Sequence, residues 1–369
     1  MECTISKDAL LQPLQLVTGV VERRQTLPIL SNALLVLANG KLSITGTDLE
    51  VELVAWGTPQ SVTAEGSVTT PARKLMDICR SFPDDAEILL KLEDNRLLVK
   101  SGRSRYRLSL LPVEDFPKTE QKASDIEFPL PQSTLKNLID SISFAMAQQD
   151  VRFYLNGLLM EVGEGRIRTV ATDGHRLALC NADVESETAK GAISQVIIPR
   201  KGAVELSRLL GDTDSVAQVT IGSNFVRVGT DDFLFSSKLV DGKFPDYQNV
   251  IPTGGDKELI ADRRLLKDSF VRASILSSDK FHGVRLYLSE QLLKLKANNP
   301  EQEEAEEDIE VDYSGSSVEI GFNVTYMIDV MNTLQSDAVR ITLSGPDNGV
   351  IIERVENPDA LYVVMPMKI

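Results

Sequence analysis

The 369-residue chain has few histidines, few aromatic side chains and no long apolar run. Its two histidines, His175 and His282, are far apart, and its three cysteines, Cys3, Cys79 and Cys180, are an odd number at wide spacing. That excludes a metal site built on clustered Cys and His ligands and excludes a disulfide framework; it fits reduced thiols in a cytoplasmic setting. No segment approaches the roughly 20 apolar residues of a membrane helix, and the opening MECTISKDALLQ lacks the basic-then-apolar layout of a secretion signal, so no membrane role is expected. A G-x-S-x-G elbow and a phosphate-cradling glycine loop are absent as well. Positive charge is scarce: 39 Lys and Arg stand against 54 Asp and Glu, a formal net charge of -15. A protein that coats nucleic acid with a basic surface is thereby excluded, because phosphate affinity comes from cations displacing counterions. Any nucleic-acid role must rest on a local basic surface or on something other than affinity.

What the chain does have is a pattern that occurs three times. TVATDGHRLALC, Thr169 to Cys180, has a counterpart upstream in SITGTDLEVELVA, Ser43 to Ala55, and a weaker one downstream in LKLKANNPEQEEAEEDIEV, Leu293 to Val311. A helix-like segment opens each copy: SKDALLQPLQLVTGVVERR from Ser6, PQSTLKNLIDSISFAMAQQ from Pro131 and ADRRLLKDSFVRASILSSD from Ala261. In the second, Leu135, Leu138, Ile139, Ile142 and Met146 have helical spacing, with Ser133 or Thr134 as the cap. A second helical segment follows each turn motif: PARKLMDICRSF from Pro71, PRKGAVELSRLL from Pro199 and FNVTYMIDVMNTL from Phe322, with Pro71 and Pro199 near helix starts. Alternating strands lie between, with an Asn-Gly turn at Asn39-Gly40 and a Ser-Gly turn in NRLLVKSGRSRYRLSLL. Each copy ends on an apolar-Pro step, at Phe116-Pro117, Phe244-Pro245 and Met365-Pro366. So long a period predicts complete domains rather than solenoid repeats: an α+β chain of three tandem similar domains over 1–122, 123–250 and 251–369, each strand-rich with two helices.

TVATDGHRLALC, SKLVDGKFPDY, NNPEQEEAEE, GFNVTYMIDV and YVVMPMKI, in this order and spacing, resemble the beta subunit of bacterial DNA polymerase III, the sliding-clamp family, over the whole chain. The resemblance implies the DNA clamp fold, with helices on the inner side and β-sheets outside, and a head-to-tail homodimer that forms a six-domain ring around double-stranded DNA. It implies a non-catalytic processivity factor without a cofactor. The implied partners are the replicative DNA polymerase alpha subunit, the clamp loader complex, translesion polymerases, ligase and mismatch-repair proteins. An acidic chain then makes physical sense, because a closed ring is held by topology and an acidic exterior discourages binding from outside.

Basic residues fall within the helical segments: Arg73 and Arg80 seven apart, Arg200 and Lys201 together, Arg264 and Lys267 three apart. Facing a phosphate backbone they would act as non-specific counterions; facing water they are solvated helix faces. Two loops are stronger: ERRQT with Arg23 and Arg24, and AQQDVRFYLNG with Gln148, Gln149, Arg152, Phe153 and Tyr154. Amides and arginines bind phosphate and rings stack on bases, and the resemblance implies DNA contacts at Arg24, Gln149, Arg152 and Tyr154; Phe153 fits a stacking role or the core.

A head-to-tail dimer needs two unlike surfaces that close after two subunits. The basic strand pattern with Arg96, Arg103, Arg105, Tyr106 and Leu108 faces, by resemblance, the acidic run with Glu301, Glu303, Glu304, Glu306 and Glu307; Lys74, Ile275 and Leu276 join the same interface. Charge sets register, and Tyr106, Leu108, Ile275 and Leu276 supply affinity. The acidic run alone also reads as a solubilising loop; Pro300 and the missing EF-hand glycine pattern argue against calcium.

For His175 and Asp173 the competing class is a hydrolase with a Ser or Cys nucleophile. The first copy, however, has Leu49 or Glu50 where the second has Gly174 and His175, so the repeat does not need a histidine. The resemblance instead implies a groove for short partner peptides: Thr172, Gly174, His175, Arg176 and Leu177, with Leu155, Pro245 and Val250. Asn323, Tyr326 and the C-terminal Val363, Val364, Met365, Pro366 and Met367 complete it. Adaptable methionines suit several partner sequences. The family pattern carries an arginine just before the Val250 position, where Gln248 and Asn249 stand here.

Overall fold

The computed structural model describes the chain except residues 22–26, 118–123, 186–190, 192, 279, 281, 357 and 369. The first repeat runs β1 (Glu2–Ser6), α1 (Lys7–Val20), β2 (Asn32–Ala38), β3 (Lys41–Thr47), β4 (Val51–Gly57), β5 (Ser61–Ala64), β6 (Gly66–Pro71), α2 (Ala72–Ser81), β7 (Glu87–Glu93), β8 (Arg96–Ser101) and β9 (Ser104–Ser109). The second runs β10 (Ser124–Pro131), α3 (Gln132–Asp140), β11 (Gly157–Gly163), β12 (Arg166–Thr172), β13 (Arg176–Asp183), β14 (Ser194–Pro199), α4 (Arg200–Leu209), β15 (Val216–Gly222), β16 (Phe225–Gly229) and β17 (Phe233–Lys238). The third runs β18 (Lys257–Asp262), α5 (Arg263–Ser274), β19 (Gly283–Ser289), β20 (Leu292–Asn298), β21 (Glu304–Glu310), β22 (Val318–Asn323), α6 (Val324–Thr333), β23 (Ala338–Leu343), β24 (Val350–Arg354) and β25 (Ala360–Val364). With β5 set aside, all three follow one order: strand, helix, four strands, helix, three strands.

The strands of each repeat form two antiparallel groups. In the first repeat these are β6-β2-β3-β4 and β1-β7-β8-β9, and the other two repeats match them strand for strand. Groups of successive repeats then merge: β4 pairs with β17 and β13 pairs with β25, giving two eight-stranded sheets. Two groups are left without a neighbour, so a five-stranded sheet ends on β9 and a four-stranded sheet ends on β21. The chain divides into two compact units, Met1–Ser133 with Val204–Leu239 and Thr134–Ala203 with Val240–Ile369, and each holds one eight-stranded sheet and one smaller sheet. No helix among the described residues is long and apolar enough to cross a membrane.

Local chemistry explains the helix ends. The Ser6 hydroxyl accepts from Ala9 N, Asp262 from Leu265 N and Asn323 from Thr325 N, each satisfying an orphan N-H of a first turn. Pro13 lies inside α1 and cannot donate to the Ala9 carbonyl; Gly57 passes so close to that carbonyl that a Cβ there would sit 2.4 Å from it. The second repeat departs from the expected helix. α3 starts at Gln132, ahead of the expected Ser133 or Thr134 cap, because the Gln132 and Ser133 N-H groups donate to the Ser215 and Thr213 carbonyls. It also stops at Asp140: Ser141 bonds back to Asn137 and Ser143 to the Ile139 carbonyl, and such side chains compete with the helix ladder, so Ile142 and Met146 reach the core from outside a helix. The Ser-Gly turn is likewise shifted by one: Ser101 pairs with Ser104, and Gly102 with Arg103 forms the turn.

All three thiols are buried, and burial raises Cys3 and Cys180 to about 11 and Cys79 to about 12. The thiolate is the reactive form, so iodoacetamide at pH 8 should label no cysteine in the folded protein and three after denaturation. Labelling of any one in the native state contradicts this packing.

Candidate functional site

The turn between β12 and β13 is built by Thr172 and Asp173. The Asp173 carboxylate accepts from the His175 and Arg176 N-H groups, while Thr172 Oγ1 accepts from Gly174 N and donates to the Arg176 carbonyl. The first repeat repeats this turn: Asp48 accepts from Glu50 and Val51, and Thr47 accepts from Leu49 and donates to Val51. Even the backbone matches, with φ 91° at Gly174 and 79° at Leu49. Asp173 is therefore a turn-builder, and His175 occupies the place of Glu50. The His175 ring stacks on Tyr326 at 6.4 Å between centroids, and the His175 carbonyl accepts from Met365 N. No cluster of His, Cys, Asp or Glu suited to a metal occurs among the described residues.

Beneath this turn lies an apolar cluster that includes Leu155, Leu177 and Val363, all at most 2% exposed, together with Leu159, Phe244 and Tyr247. Tyr154, Ile251 and Met365 pack on it with part of their surface free. The expected groove residues Leu155, Leu177 and Val363 are thus buried members of this cluster, Val364 is buried in β25, and Pro245 and Val250 stand exposed on the segment that carries Phe244 and Tyr247. Gly349 borders Met365: a Cβ there would come within 3.0 Å of the Met365 sulfur and of Val363. Pro366 and Met367 are partly buried, and Met367 N donates to the Gly321 carbonyl beside Asn323. Asn323 is spent on capping α6.

Arg176 is not a free rim cation. Its guanidinium contacts Asp173 at 3.1 Å and Asp329 at 2.5 Å, donates to the Phe144 carbonyl at 2.7 Å, and lies over the rings of Tyr326 and Phe144. With its side chain 12% exposed, it ties the turn to α6 and to the 143–145 turn. Asp329 and Phe144 carry no sequence signal, since each meets Arg176 only through the fold.

The loop after α3 carries Gln148, Gln149 and Arg152, all exposed, with φ 56° at Gln149. Phe153 is 56% exposed and meets Tyr154 edge to face, so the core option for Phe153 is not realised. Arg152 chelates Asp150 and also donates to the Asp173 carbonyl, which joins this loop to the turn between β12 and β13. The hydrogen bonds from Arg152 hold the Asp150 carboxyl down at about 2. A depressed carboxyl stabilises the fold above its ordinary range, and that contribution is lost as pH falls through the folded value. A carbon-13 NMR titration should thus show Asp150 ionised at pH 3, with Arg152→Ala returning it toward the ordinary aspartate range near 3.9; an unchanged titration in that variant contradicts the assignment.

Two of the arginines expected on a DNA face, both partly buried, donate to backbone carbonyls. Arg73 donates to the Thr18 and Val21 carbonyls, closing the C-terminal end of α1, which has no basic residue of its own. Arg200 donates to the Ser143 and Met146 carbonyls. Arg80 and Arg264 remain exposed, while Lys201 and Lys267 are partly buried. Arg23 and Arg24 lie outside the described residues.

The basic and acidic runs are both strands. β9 is an unpaired edge with Arg105 and Arg107 exposed, Leu108 buried and Tyr106 packed edge-on against Phe82; Arg96, Arg103 and Lys74 are exposed nearby. Arg107 shares the alternation of Arg103 and Arg105 and was missed although that spacing marks it. The acidic run is not a loop: Glu304 to Glu310 is β21, because Ala305 and Ile309 alternate with the acids and Ile309 is buried. Glu307 is chelated by Arg272 of α5, Glu306 pairs with Lys294 and Lys296, Glu303 accepts from Asn299, and Glu301 is exposed. Ile275, just past α5, is 73% exposed, and Leu276 is half-buried.

Three family models match in order: the N-terminal domain of the DNA polymerase III beta subunit over residues 1–120, its central domain over 129–246 and its C-terminal domain over 248–368. The chain is 53% identical to the beta sliding clamp of Pseudomonas aeruginosa and 52% identical to that of Escherichia coli K12, in each case over 100% of both chains. The solved structure of a DnaN sliding clamp from Pseudomonas aeruginosa bound to griselimycin superimposes with a TM-score of 0.97 at 53% identity, again over 100% of both chains. The repeated α+β architecture, the Thr-Asp turn shared by the first two repeats, and these full-length likenesses agree: the chain belongs to the DNA polymerase III beta subunit family, the bacterial sliding clamps.

Proposed function

We propose that two copies close head to tail into a ring around duplex DNA and serve, without catalysis, as the processivity factor that tethers the replicative polymerase. One observation carries this: the rule that joins β4 to β17 and β13 to β25 leaves β9 and β21 as the two equivalent edges still unjoined. Unpaired edges are templates for another strand. At the two internal junctions Phe235 faces Leu53 and Tyr362 faces Ala178. Counted strand by strand from the helix starts, both pairs correspond to Tyr106 of one protomer opposite Ala305 of its partner. In that register Arg103, Arg105 and Arg107 face Asp308, Glu306 and Glu304 on one side of the sheet. Tyr106 and Leu108 lie on the other side, toward the apolar part of the seam with Ile275 and Leu276.

The domain limits 1–122, 123–250 and 251–369 give six domains in the ring, with helices inward. Arg24, Arg80, Gln149, Arg152, Tyr154 and Lys201 then meet the DNA backbone, weakly and without sequence preference. The groove over Leu155, Leu177 and Val363 receives short segments of the polymerase alpha subunit, the clamp loader, translesion polymerases, ligase and mismatch-repair proteins, in the cytoplasm. On this reading griselimycin, to which the solved Pseudomonas aeruginosa clamp is bound, is a ligand for this groove. The test is extension of a singly primed long template by the cognate polymerase and loader under single-encounter conditions. Addition of this chain lengthens the products; unchanged product length overturns the reading.

A further inference from the structure

One face of the β14-β11-β12-β13 group carries two parallel cross-strand rows. The apolar row is Ile197, Leu159, Val170 and Leu179, and the polar row two residues along is Gln195, Glu161, Arg168 and Asn181. Each polar member bonds its neighbour: Gln195 donates to Glu161 at 2.7 Å, Arg168 lies 3.8 Å from Glu161, and Arg168 donates to Asn181 at 2.7 Å. Tyr247 spans both rows. Its ring is in the apolar cluster under the groove, and its hydroxyl donates to Glu161 at 2.6 Å and accepts from Arg168 at 3.0 Å. Burial, reinforced by the Glu161 carboxylate, holds the phenol above its ordinary range, so it stays protonated as the donor.

We infer that Tyr247 is a positioning residue for the partner groove, its hydroxyl clamping the Phe244-to-Ile251 segment, and so the exposed Pro245 and Val250, onto the Glu161 and Arg168 ladder. This rests on reading the groove as the partner site. The hydroxyl matters because it is the polar anchor of a segment otherwise held by the apolar packing of Phe244, Tyr247 and Ile251, and a cavity of about 350 Å³, lined by Gln248, Glu161, Arg166 and Arg168, lies beside the next residue. The side-chain bond from Asn249 to Asp246 is internal to the segment and exposed. Loss of a buried bond to a charged group lowers the population of the closed wall, and apparent affinity falls by that population.

The experiment measures griselimycin binding by calorimetry to the full-length protein, its Tyr247→Phe variant and a groove variant, Met365→Glu, with hydrogen exchange followed across the chain. The expected result is tight binding by the unmodified protein, loss in Met365→Glu, and about three- to tenfold weaker binding in Tyr247→Phe, with faster exchange confined to residues 244–251. Unchanged affinity in Tyr247→Phe, or exchange that rises throughout the sheet, overturns the positioning role while leaving the groove reading intact. Failure of the unmodified protein to bind, or full binding by Met365→Glu, overturns both.

Discussion

Two charge-reversed versions of this chain should each be monomeric alone and dimerise only when mixed. The first carries Arg103→Glu, Arg105→Glu and Arg107→Glu on β9; the second carries Glu304→Arg, Glu306→Arg and Asp308→Arg on β21. In either version alone, both seams of the ring set like charges opposite each other. In the mixture, the altered β9 meets the altered β21 at one seam and the native strands meet at the other. Cross-strand pairs are worth roughly 0.2 to 1 kcal/mol each, and reversal changes attraction to repulsion. Three pairs at each of two seams make the penalty about 3 to 6 kcal/mol, or about 10² to 10⁴ in the dimer Kd. Native mass spectrometry reads the outcome directly. Recovery on mixing also separates seam loss from misfolding, a necessary control because Glu306 pairs with Lys294 and Lys296 within its own chain. A homodimer of either version contradicts the head-to-tail register.

The second large effect is expected at Arg176. Replacing it with methionine keeps most of the volume but leaves Asp173 and Asp329 facing each other's surroundings without their shared cation. Removing one member of a paired buried ion costs about 3 to 5 kcal/mol, and the partial exposure of both aspartates lowers this to about 2 to 4. The urea midpoint should fall accordingly, and griselimycin affinity should drop with it, because Tyr326 loses the guanidinium that lies on its ring. Adding Asp329→Asn should restore part of the stability, since one uncompensated charge is removed. No recovery in the double variant would mean that the cage is held by the rings and the Phe144 carbonyl rather than by its charges.

The threefold pattern and the six α-helices among the described residues were legible because caps and 3.6-residue periodicity act locally. What escaped depends on partners distant in sequence. An arginine in an amphipathic helix reads alike whether it meets phosphate or closes another helix, so the carbonyl partners of Arg73 and Arg200 are visible only in the fold. The acidic run is dominated by charge, and its period-2 apolar set is only Ala305, Ile309 and Val311, too sparse to outweigh the loop reading. Cross-strand pairing is invisible without register, so the polar ladder under Tyr247 had no linear signature, although the FPDY stretch that holds Phe244 and Tyr247 was already marked as part of the resemblance. The residues proposed for the groove stand together in the sequence only through that resemblance, and which of them are buried, which build the turn and which are exposed came only with burial and hydrogen bonds.

The most direct test of a topologically held ring is release from DNA when the circle is opened. The protein is loaded on nicked circular DNA by its cognate ATP-driven loader, separated from free protein, and then exposed to a restriction enzyme that cuts once. The ring predicts retention on the circle in salt that screens phosphate contacts, and loss within minutes of linearisation, whatever the DNA sequence. Retention on the linear product, with steep dependence on salt, would mean that direct contacts hold the protein and would contradict the tether.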